Sequence, residues 1–598
     1  MRPAPEPARP NRPALTRRAT LAGLAAALAL PATAGVAQAA PRRRAKAAAD
    51  PDLGPNVIVF DPSMASADIQ AKLNQVFASQ ETNQFGTERF ALLFKPGDYS
   101  DIDVNVGFYT HVAGLGLSPD DVNINGWVRV EADWMQGNAT QNFWRAAENL
   151  SITPRDGANR WAVSQAAPLR RVHIRGEIPL WNGFDGWSSG GFMADCKVDG
   201  RVVSGSQQQW LTRNSTLGSW EGSVWNMVFV GVDGAPANHF PDPSHTVVDQ
   251  APVIREKPFL HIDGAGAYQV FVPALGKAAR GVTWAGGAAG SSLPLSDFHI
   301  VKPGDTAASM NDALGQGQHL LVTPGVYHLD RTLKVTKADT VVLGLGLATL
   351  VPDNGVTAMS VADVDGVKVS GILFDAGTTN SELLMEVGPE GSDGDHSGNP
   401  IMLQDVFFRI GGAHAGKATT SLVVNSNHTI GDNLWLWRAD HGEAGSYGWD
   451  VNTADTGLVV NGSDVTMYGL FTEHYQKTEV IWNGNGGRTY FFQNEHPYDP
   501  PNQAAWMNGS TRGYPAYKVA DSVTSHEAWG LGSYCNFTGD PSVVAERSLE
   551  VPDVSGVSFH SMVTVSLGGV GTINRIINDA GEPVTPDNEG ISYLPSYP

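Results

Sequence analysis

The chain begins the same way twice. ALLFKPGDY (Ala91–Tyr99) is followed by THVAGLG (Thr110–Gly116), and much later HLLVTPGVY (His319–Tyr327) is followed by TVVLGLG (Thr340–Gly346). The two Pro-Gly pairs lie 228 residues apart. Each copy reads as a buried strand, a tight turn, a second strand and a glycine-rich corner. A stretch with helical periodicity precedes each one, Ala67–Gln80 and Ala307–Gly317. A repeat of this length implies two copies of one architecture, and any fold proposed for the chain has to contain its own beginning twice.

Short apolar runs follow each start at intervals of roughly 20 to 35 residues, the spacing of stacked coils. NLSIT from Asn149, RRVHI from Arg170 and FMADCKV from Phe192 belong to the first half; MLQDVFF from Met402, NLWLW from Asn433 and VTMYGLF from Val465 belong to the second. Asn, Asp and Gly mark the corners, and the 67 Gly and 37 Pro suit many turns between short strands better than long helices. The pattern predicts an all-β chain of two right-handed parallel β-helix modules side by side, with rungs about 4.8 Å apart. A β-sandwich is the rival; strand runs continuing this long behind a duplicated start argue against it.

The expected organisation is a signal peptide over residues 1–39, a disordered basic tether over 40–54 and a first module over 55–240. A connecting segment over 241–295, flexible from Gly286, leads to a second module over 296–550. Residues 551–598 are expected to cap the last rung, which would otherwise present an aggregating edge. The targeting reading rests on Arg17-Arg18, the apolar run Leu21–Leu30 and a small-residue cleavage site at Ala37-Gln38-Ala39. Paired arginines point to twin-arginine export, although Thr20 stands where the fuller pattern has a large apolar residue. The apolar run is too short for a lasting membrane anchor.

The formal charge is −21, and removing residues 1–40, which hold five arginines and one glutamate, takes it to −25. Such a surface repels nucleic acid and anionic membranes and favours a neutral substrate over a polyanion. Cys196 and Cys535 are the only cysteines, expected as two buried thiols rather than a disulfide framework. His441, His474, His496 and His526 fit no zinc spacing, so neither a metal nor an organic cofactor is expected.

Chemistry concentrates in Leu470–Trp506. Glu473 and Glu495 each close a short apolar run and are 22 residues apart, about one coil, so both would project from one edge of the stack. Two carboxyls whose surroundings push their pKa values apart are what glycosidic hydrolysis requires. Glu495, in FFQNEHPY among aromatics and prolines, is the candidate general acid; Glu473, in FTEHYQ, has the more polar setting and is expected to stay ionised. Solvated corner glutamates are the bland alternative. Trp449, Tyr475 and Tyr498 lie in loop-like contexts where aromatic faces could stack on sugar rings. Asp440 and Asp450 are candidates for sugar hydroxyls or simple turn residues. In the first half Gln165 and Ser189 are 24 residues apart, again about one rung, with Gln208 further on. Alone these are structural ladders, and they gain interest only if the two halves face each other.

The residues carry a resemblance. KPGDY with AGLG, NFWRAAENL, VSQAAPLRRVHI, SGGFMADCKVDG with GSQQQWLTRN, REKPFL, GLFTEHYQ, WNGNGGRTYFFQNEHPYDPP and YKVADSVTSHEAWGLGSYC run in order through most of residues 55–545. Together they resemble bacterial members of glycoside hydrolase family 55, β-1,3-glucanases built from two parallel β-helices of the pectate-lyase-like kind. The resemblance implies an inverting exo-enzyme that releases glucose. It places the general acid at Glu495 and a water-activating network at Glu473, Gln165 and Ser189, with Ser188 as the alternative register. Tyr475, Tyr498, Trp449, Asp450, Asp440 and Gln208 are then the expected sugar contacts. The expected partner is a neutral β-glucan, with no nucleic acid or membrane involved, acted on outside the cell by a monomer. DDVNINGWVRVEADWMQGNATQNFW and Gly388–Pro400 look individual to this chain, and loops set linkage preference. A polysaccharide lyase on the same fold and a non-catalytic glycan-binding β-helix are the other readings.

Overall fold

Period-2 alternation with a turn at every coil produces stacked strands rather than hairpins, and the structure, a computed structural model, consists almost entirely of such stacks. It describes residues 50–183, 186–587 and 590–598. The expected signal peptide and most of the tether lie outside the described residues. From Ala48 to Pro598 the chain is one compact unit, within which each half has its own stack.

The first stack is a parallel sheet running from Val57–Phe60 through Phe90–Phe94, Thr110–Gly114, Arg145–Thr153 and Leu169–Ile174 to His245–Val248. The second has two parallel sheets, one strand of each per coil. One includes Met402–Ile410, Ile430–Arg438, Thr466–Glu473, Gly487–Glu495 and His526–Cys535; the other includes Ala418–Val424, Thr456–Val460 and Val480–Trp482. The duplicated starts superpose in topology: Phe90–Phe94 pairs with Thr110–Gly114, and His319–Val322 pairs with the strand from Val341. Ahead of each start a helix, Ser66–Gln80 or Ala307–Gly315, turns its apolar face (Ile69, Leu73 and Val76; Ala307, Met310 and Leu314) into the core of its own stack. The unpaired first rung is thereby covered. No helix among the described residues is long and apolar enough to cross a membrane.

Long strands bend at one left-handed residue per coil. Asn149, Arg171, Asp195 and Asn214 form this column in the first stack, and Asp405, Asn433, Gly469 and Phe491 form it in the second, all with φ between 44° and 69°. Asn, Asp and Gly tolerate that conformation, whereas Phe491 holds it against its steric preference beside the chemistry-bearing end of its strand.

Two features depart from expectation. The Gly/Ala/Ser segment is not a free linker: Gly290–Pro294 pairs antiparallel with Tyr268–Pro273, which pairs in turn with Phe259–Ile262. The connector is anchored because REKPFL places Glu256 and Lys257, both buried, among the charges between the stacks. The tail also does more than cover an end. Val557–Ser566 extends the parallel ladder by another rung, and Ile591–Tyr597 closes it antiparallel. Cys196 and Cys535 are free, buried thiols.

The stacks meet along an aromatic and ionic seam. Phe143, Trp144, Phe192 and Leu211 of the first pack on Phe407, Trp435, Trp437 and Phe471 of the second. Beside them Asp432 accepts from Arg170 Nη1 at 2.7 Å and from Arg213 Nε at 2.9 Å. Arg170 also pairs with Asp405, and Arg213 with Glu256. Removing one partner strands buried charge, so Asp432→Ala is expected to lower unfolding stability by about 3–5 kcal/mol in urea titration. Asp330→Ala, which loses only an exposed pair with Arg331, should leave the urea midpoint in place.

Candidate active site

Beyond its left-handed corner each strand of the second stack alternates strictly, and this decides what faces the first. Leu470 and Phe492 point into the core, while Phe471 and Phe491 reach the seam. The ladder then places Trp437, Glu473, Glu495 and Tyr534 opposite one another on successive rungs. Both glutamates therefore stand on one edge, one rung apart, at a cavity of about 230 Å³ between the halves.

Glu473 is buried and held at both oxygens. Gln165 Nε2 donates to Oε1 at 2.8 Å from the first stack, and Trp435 Nε1 donates to Oε2 at 2.8 Å. Gln165 Nε2 also reaches Gln493 Oε1 at 3.2 Å. Glu495 accepts from the Tyr498 hydroxyl at Oε2. Next to it, His474 Nε2 lies 3.8 Å from Glu495 Oε2 and 3.7 Å from Asp440 Oδ1, while its Nδ1 donates to the His496 carbonyl at 3.1 Å. His441 Nδ1 donates to Asp440 Oδ1 at 2.9 Å, and Gln84 holds the other ring nitrogen at 2.6 Å.

Ser189 arrives on a corner where its backbone N–H donates to Ser164 Oγ at 3.2 Å and Gly190 N–H donates to Gln207 Oε1 at 2.9 Å. Gly190 has a φ of +85°, and a Cβ there would lie 3.0 Å from Phe471 and 3.4 Å from Gln165 Nε2, so glycine lets the halves close on each other. Ser189 lines the cavity; Ser188 is buried and bridges to Gln207 on the neighbouring rung.

Electrostatics couple the carboxyls. Burial, then the negative charge of Glu495, pushes Glu473 well above the ordinary carboxylate range despite its two N–H donors. Burial also raises Glu495, opposed by His474 and by the Tyr498 hydroxyl. Glu473, expected from its polar neighbours to stay ionised, is instead the more enclosed of the two and is pushed towards its neutral form. Like charges one rung apart do not both ionise readily, so the pair titrates as a unit that retains a proton. Burial disfavours the Asp440 carboxylate as well, but His474 and His441 outweigh it and hold Asp440 below its usual range. The cavity thus pairs a reluctant diacid with a settled carboxylate.

Of the residues expected from sequence, Glu473, Glu495, Gln165, Ser189, Asp440, Tyr498 and Gln208 all line this cavity. Three others do not. Tyr475 is buried inside the second stack, with its hydroxyl 2.7 Å from Ser421 Oγ. The cause is His474, whose φ of +67° shifts the alternation and turns the next side chain inward. Trp449 packs half-buried on the cluster around Trp506, with Arg438 5.7 Å above its ring, and Asp450 is exposed on the same loop outside the cavity. Sequence reasoning missed Thr140, Gln141, Phe143, Trp437, His441, His474 and Leu567 as lining residues. Trp437 was within reach, because NLWLW carries the alternation that places Glu473; Thr140 and Leu567 carry no local signal. Among the described residues no group of three or more His, Cys, Asp or Glu could hold a metal ion.

Paired carboxyls and aromatic walls between parallel β-helices define a carbohydrate-active hydrolase site. Residues 298–495 match the family described as the LAM55 pectate lyase-like domain. The chain is 54% identical over 597 residues to an exo-β-1,3-glucanase of Streptomyces sp. (strain SirexAA-E / ActE), covering 99% of this chain and 98% of that protein. It superposes on the structure of sacteLam55A from Streptomyces sp. SirexAA-E with a TM-score of 0.90 and 57% identity, covering 92% of this chain and 99% of the other. A variant of sacteLam55A in complex with glucose matches with a TM-score of 0.90 and 56% identity, at the same coverage of 92% and 99%. The chain belongs to glycoside hydrolase family 55.

The raised Glu473 has a consequence for stability. A carboxyl that holds its proton more tightly folded than unfolded makes the folded state relatively less stable as pH climbs past the unfolded value. Glu473→Gln removes this penalty. Its thermal midpoint, relative to the parent, is expected to rise as pH climbs above about 4, the value of an unfolded glutamate. A pH-independent difference would contradict the burial argument.

Proposed function

We propose that this protein is an exo-acting β-1,3-glucanase that releases glucose from a chain end with inversion, after export from the cell and as a monomer. The observation that carries the reading is the junction of Gln165 from one stack with Glu473, paired in register with Glu495, from the other. A cavity of about 230 Å³ suits a chain end rather than the middle of a polymer. Among the described residues its lining includes no Lys or Arg to neutralise a uronate, as a lyase would need. The relative's substrate, a β-1,3-glucan, fits the negative surface of this chain because it is neutral.

The reactive form of the pair is the one in which the shared proton sits on Glu495 and Glu473 is ionised, its charge met by the N–H donors of Gln165 and Trp435. The Tyr498 hydroxyl occupies Glu495 Oε2, which leaves Oε1 to protonate the departing glycosidic oxygen. The same hydroxyl and the nearby His474 then stabilise the carboxylate that forms. On the other side a water held by Ser189 and Gln165 attacks the anomeric carbon. Its proton goes to the Gln165 carbonyl oxygen as Nε2 releases one to Glu473, and the imidic acid so formed tautomerises back to the amide before the next turnover. Glu473 ends protonated and Glu495 ionised, and transfer across one rung resets the pair.

Glu495→Gln is expected to lower glucose release from laminarin by about 10²–10⁴-fold. It should spare hydrolysis of β-glucosyl fluoride, whose leaving group needs no proton. Wild-type release from laminarin would remove Glu495 from its role. Glu473→Gln is expected to impair both substrates, because water activation is common to them. The first product seen by NMR should be α-glucose.

A further inference from the structure

Behind the two glutamates the interior of the second stack is polar. Thr472, Asn494 and Ser533 face each other there on three successive rungs, continuing the inward column of Leu470, Phe492 and Leu531. Glu479 meets this column from the other sheet. It is 1% exposed, stands just ahead of Val480–Trp482, and its carbonyl accepts from Gly457 and Leu458 N–H at 3.0 and 2.9 Å on the preceding coil. It does not line the cavity.

One bond joins Glu479 to the column: Asn494 Nδ2 donates to Glu479 Oε2 at 2.5 Å. The same Nδ2 donates to the Thr472 carbonyl at 3.2 Å, and Asn494 Oδ1 accepts from Ser533 Oγ at 2.6 Å. Both protons of the amide are thereby committed, and its oxygen is engaged. Thr472 immediately precedes Glu473, and Asn494 immediately precedes Glu495. A single amide thus holds the backbone at the base of both carboxyls, and Glu479 fixes that amide from the opposite wall.

The carboxyl of Glu479 has no counter-ion. The titratable groups facing it are Glu473, Glu495 and Tyr475. His496, beyond Ser533 at 3.4 Å from its Oγ, is kept neutral by burial, which pushes its ring down to about 3. Glu479 Oε1 has no hydrogen-bond partner among the described residues. Burial lifts Glu479 well above the ordinary carboxylate range, the Asn494 amide opposes this, and the charges of Glu473 and Glu495 add to it. The neutral acid is therefore the stable form, and it places no third charge behind the pair.

We infer that Glu479 is a positioning residue for the pair, setting the spacing of Glu473 and Glu495 through Asn494 from inside the stack. The inference rests on the acid and water-activating roles proposed for those two residues. Like charges one rung apart push their strands apart, and the braced amide resists this. An apolar residue at 479 would leave Asn494 Nδ2 short of an acceptor in the interior.

The test reads the full enzyme on laminarihexaose. Glu479→Met fills similar space without the bond and is expected to lower kcat about 10-fold, with KM within about twofold because Glu479 touches no sugar. With Asn494 released the like charges relax apart, so the alkaline limb of the pH profile is expected to move to lower pH. Glu479→Gln, whose side-chain oxygen accepts the same bond, is expected to recover most of kcat and to return the limb to its parental position. Glu479→Asp retains the acid but stops one methylene short of Asn494; it should lower kcat as Met does, and it serves if the Met variant does not fold. Parental kcat in a folded Met or Asp variant overturns the positioning role. So does a Gln variant whose limb stays shifted, since that marks Glu479 as a charge and not a bond. Loss of glucose release in Glu495→Gln beside parental Met and Asp variants removes the positioning role alone, whereas parental release in Glu495→Gln removes the acid–base reading and the positioning role with it.

Discussion

Asp432 holds the molecule's two halves in one alignment. It is fully buried, accepts from Arg170 and Arg213 of the first stack, and belongs to the second. Around it Asp405 pairs with Arg170, Glu256 with Arg213, and Lys257 with Glu148. Buried charges of this kind contribute little net stability compared with apolar packing, but every misalignment leaves some of them unpaired. Two parallel stacks could otherwise slide along each other in steps of about one rung, 4.8 Å, with similar apolar contact at each step. The charges make one step much better than the rest. The bond from Gln165 to Glu473, across 308 residues of sequence, depends on that choice.

The connector shares this task. Glu256 and Lys257 come from the segment between the stacks, so the chain that links the halves also supplies charge to the seam that locks them. Its Gly/Ala/Ser stretch is paired rather than loose because the buried ends leave it little freedom. Separate stacks with a flexible tether would bring Gln165 and Glu473 together only part of the time, and the bond between them would have no fixed geometry.

What could be read from sequence was what repeats. The duplicated starts and the coil spacing point to paired β-helices, and alternation with a period of 2 places Glu473 and Glu495 on one edge. What could not be read depends on single backbone residues or on the other stack. His474 adopts a left-handed conformation that sends Tyr475 into the core, and although histidine tolerates that region better than most side chains, nothing else in EHYQ marks the position as a corner. Trp449 and Asp450 follow a loop whose path is set by Arg438, which bonds Asp499, the Gly448 carbonyl and the His474 carbonyl. Thr140 and Leu567 reach the cavity only because distant segments close around it. The ionic character of the seam was equally hidden, because RRVHI and LTRN look like ordinary strands until Asp405 and Asp432 lie across from them.

The ladder also explains why the site is shared. Parallel stacking places like residues over like, so any carboxylate column suffers repulsion between rungs. Glu473 and Glu495 tolerate this by retaining a proton between them, and the retained proton is what an acid catalyst needs at neutral pH. A second carboxylate on that ladder could not serve as an independent base, because its charge would raise the acid further. On the proposed reading water activation comes through a neutral group, the Gln165 amide of the facing stack. Asp440 is kept apart electrostatically by His474 and His441, which hold it ionised, so it is available to sugar hydroxyls without drawing on the proton of the pair.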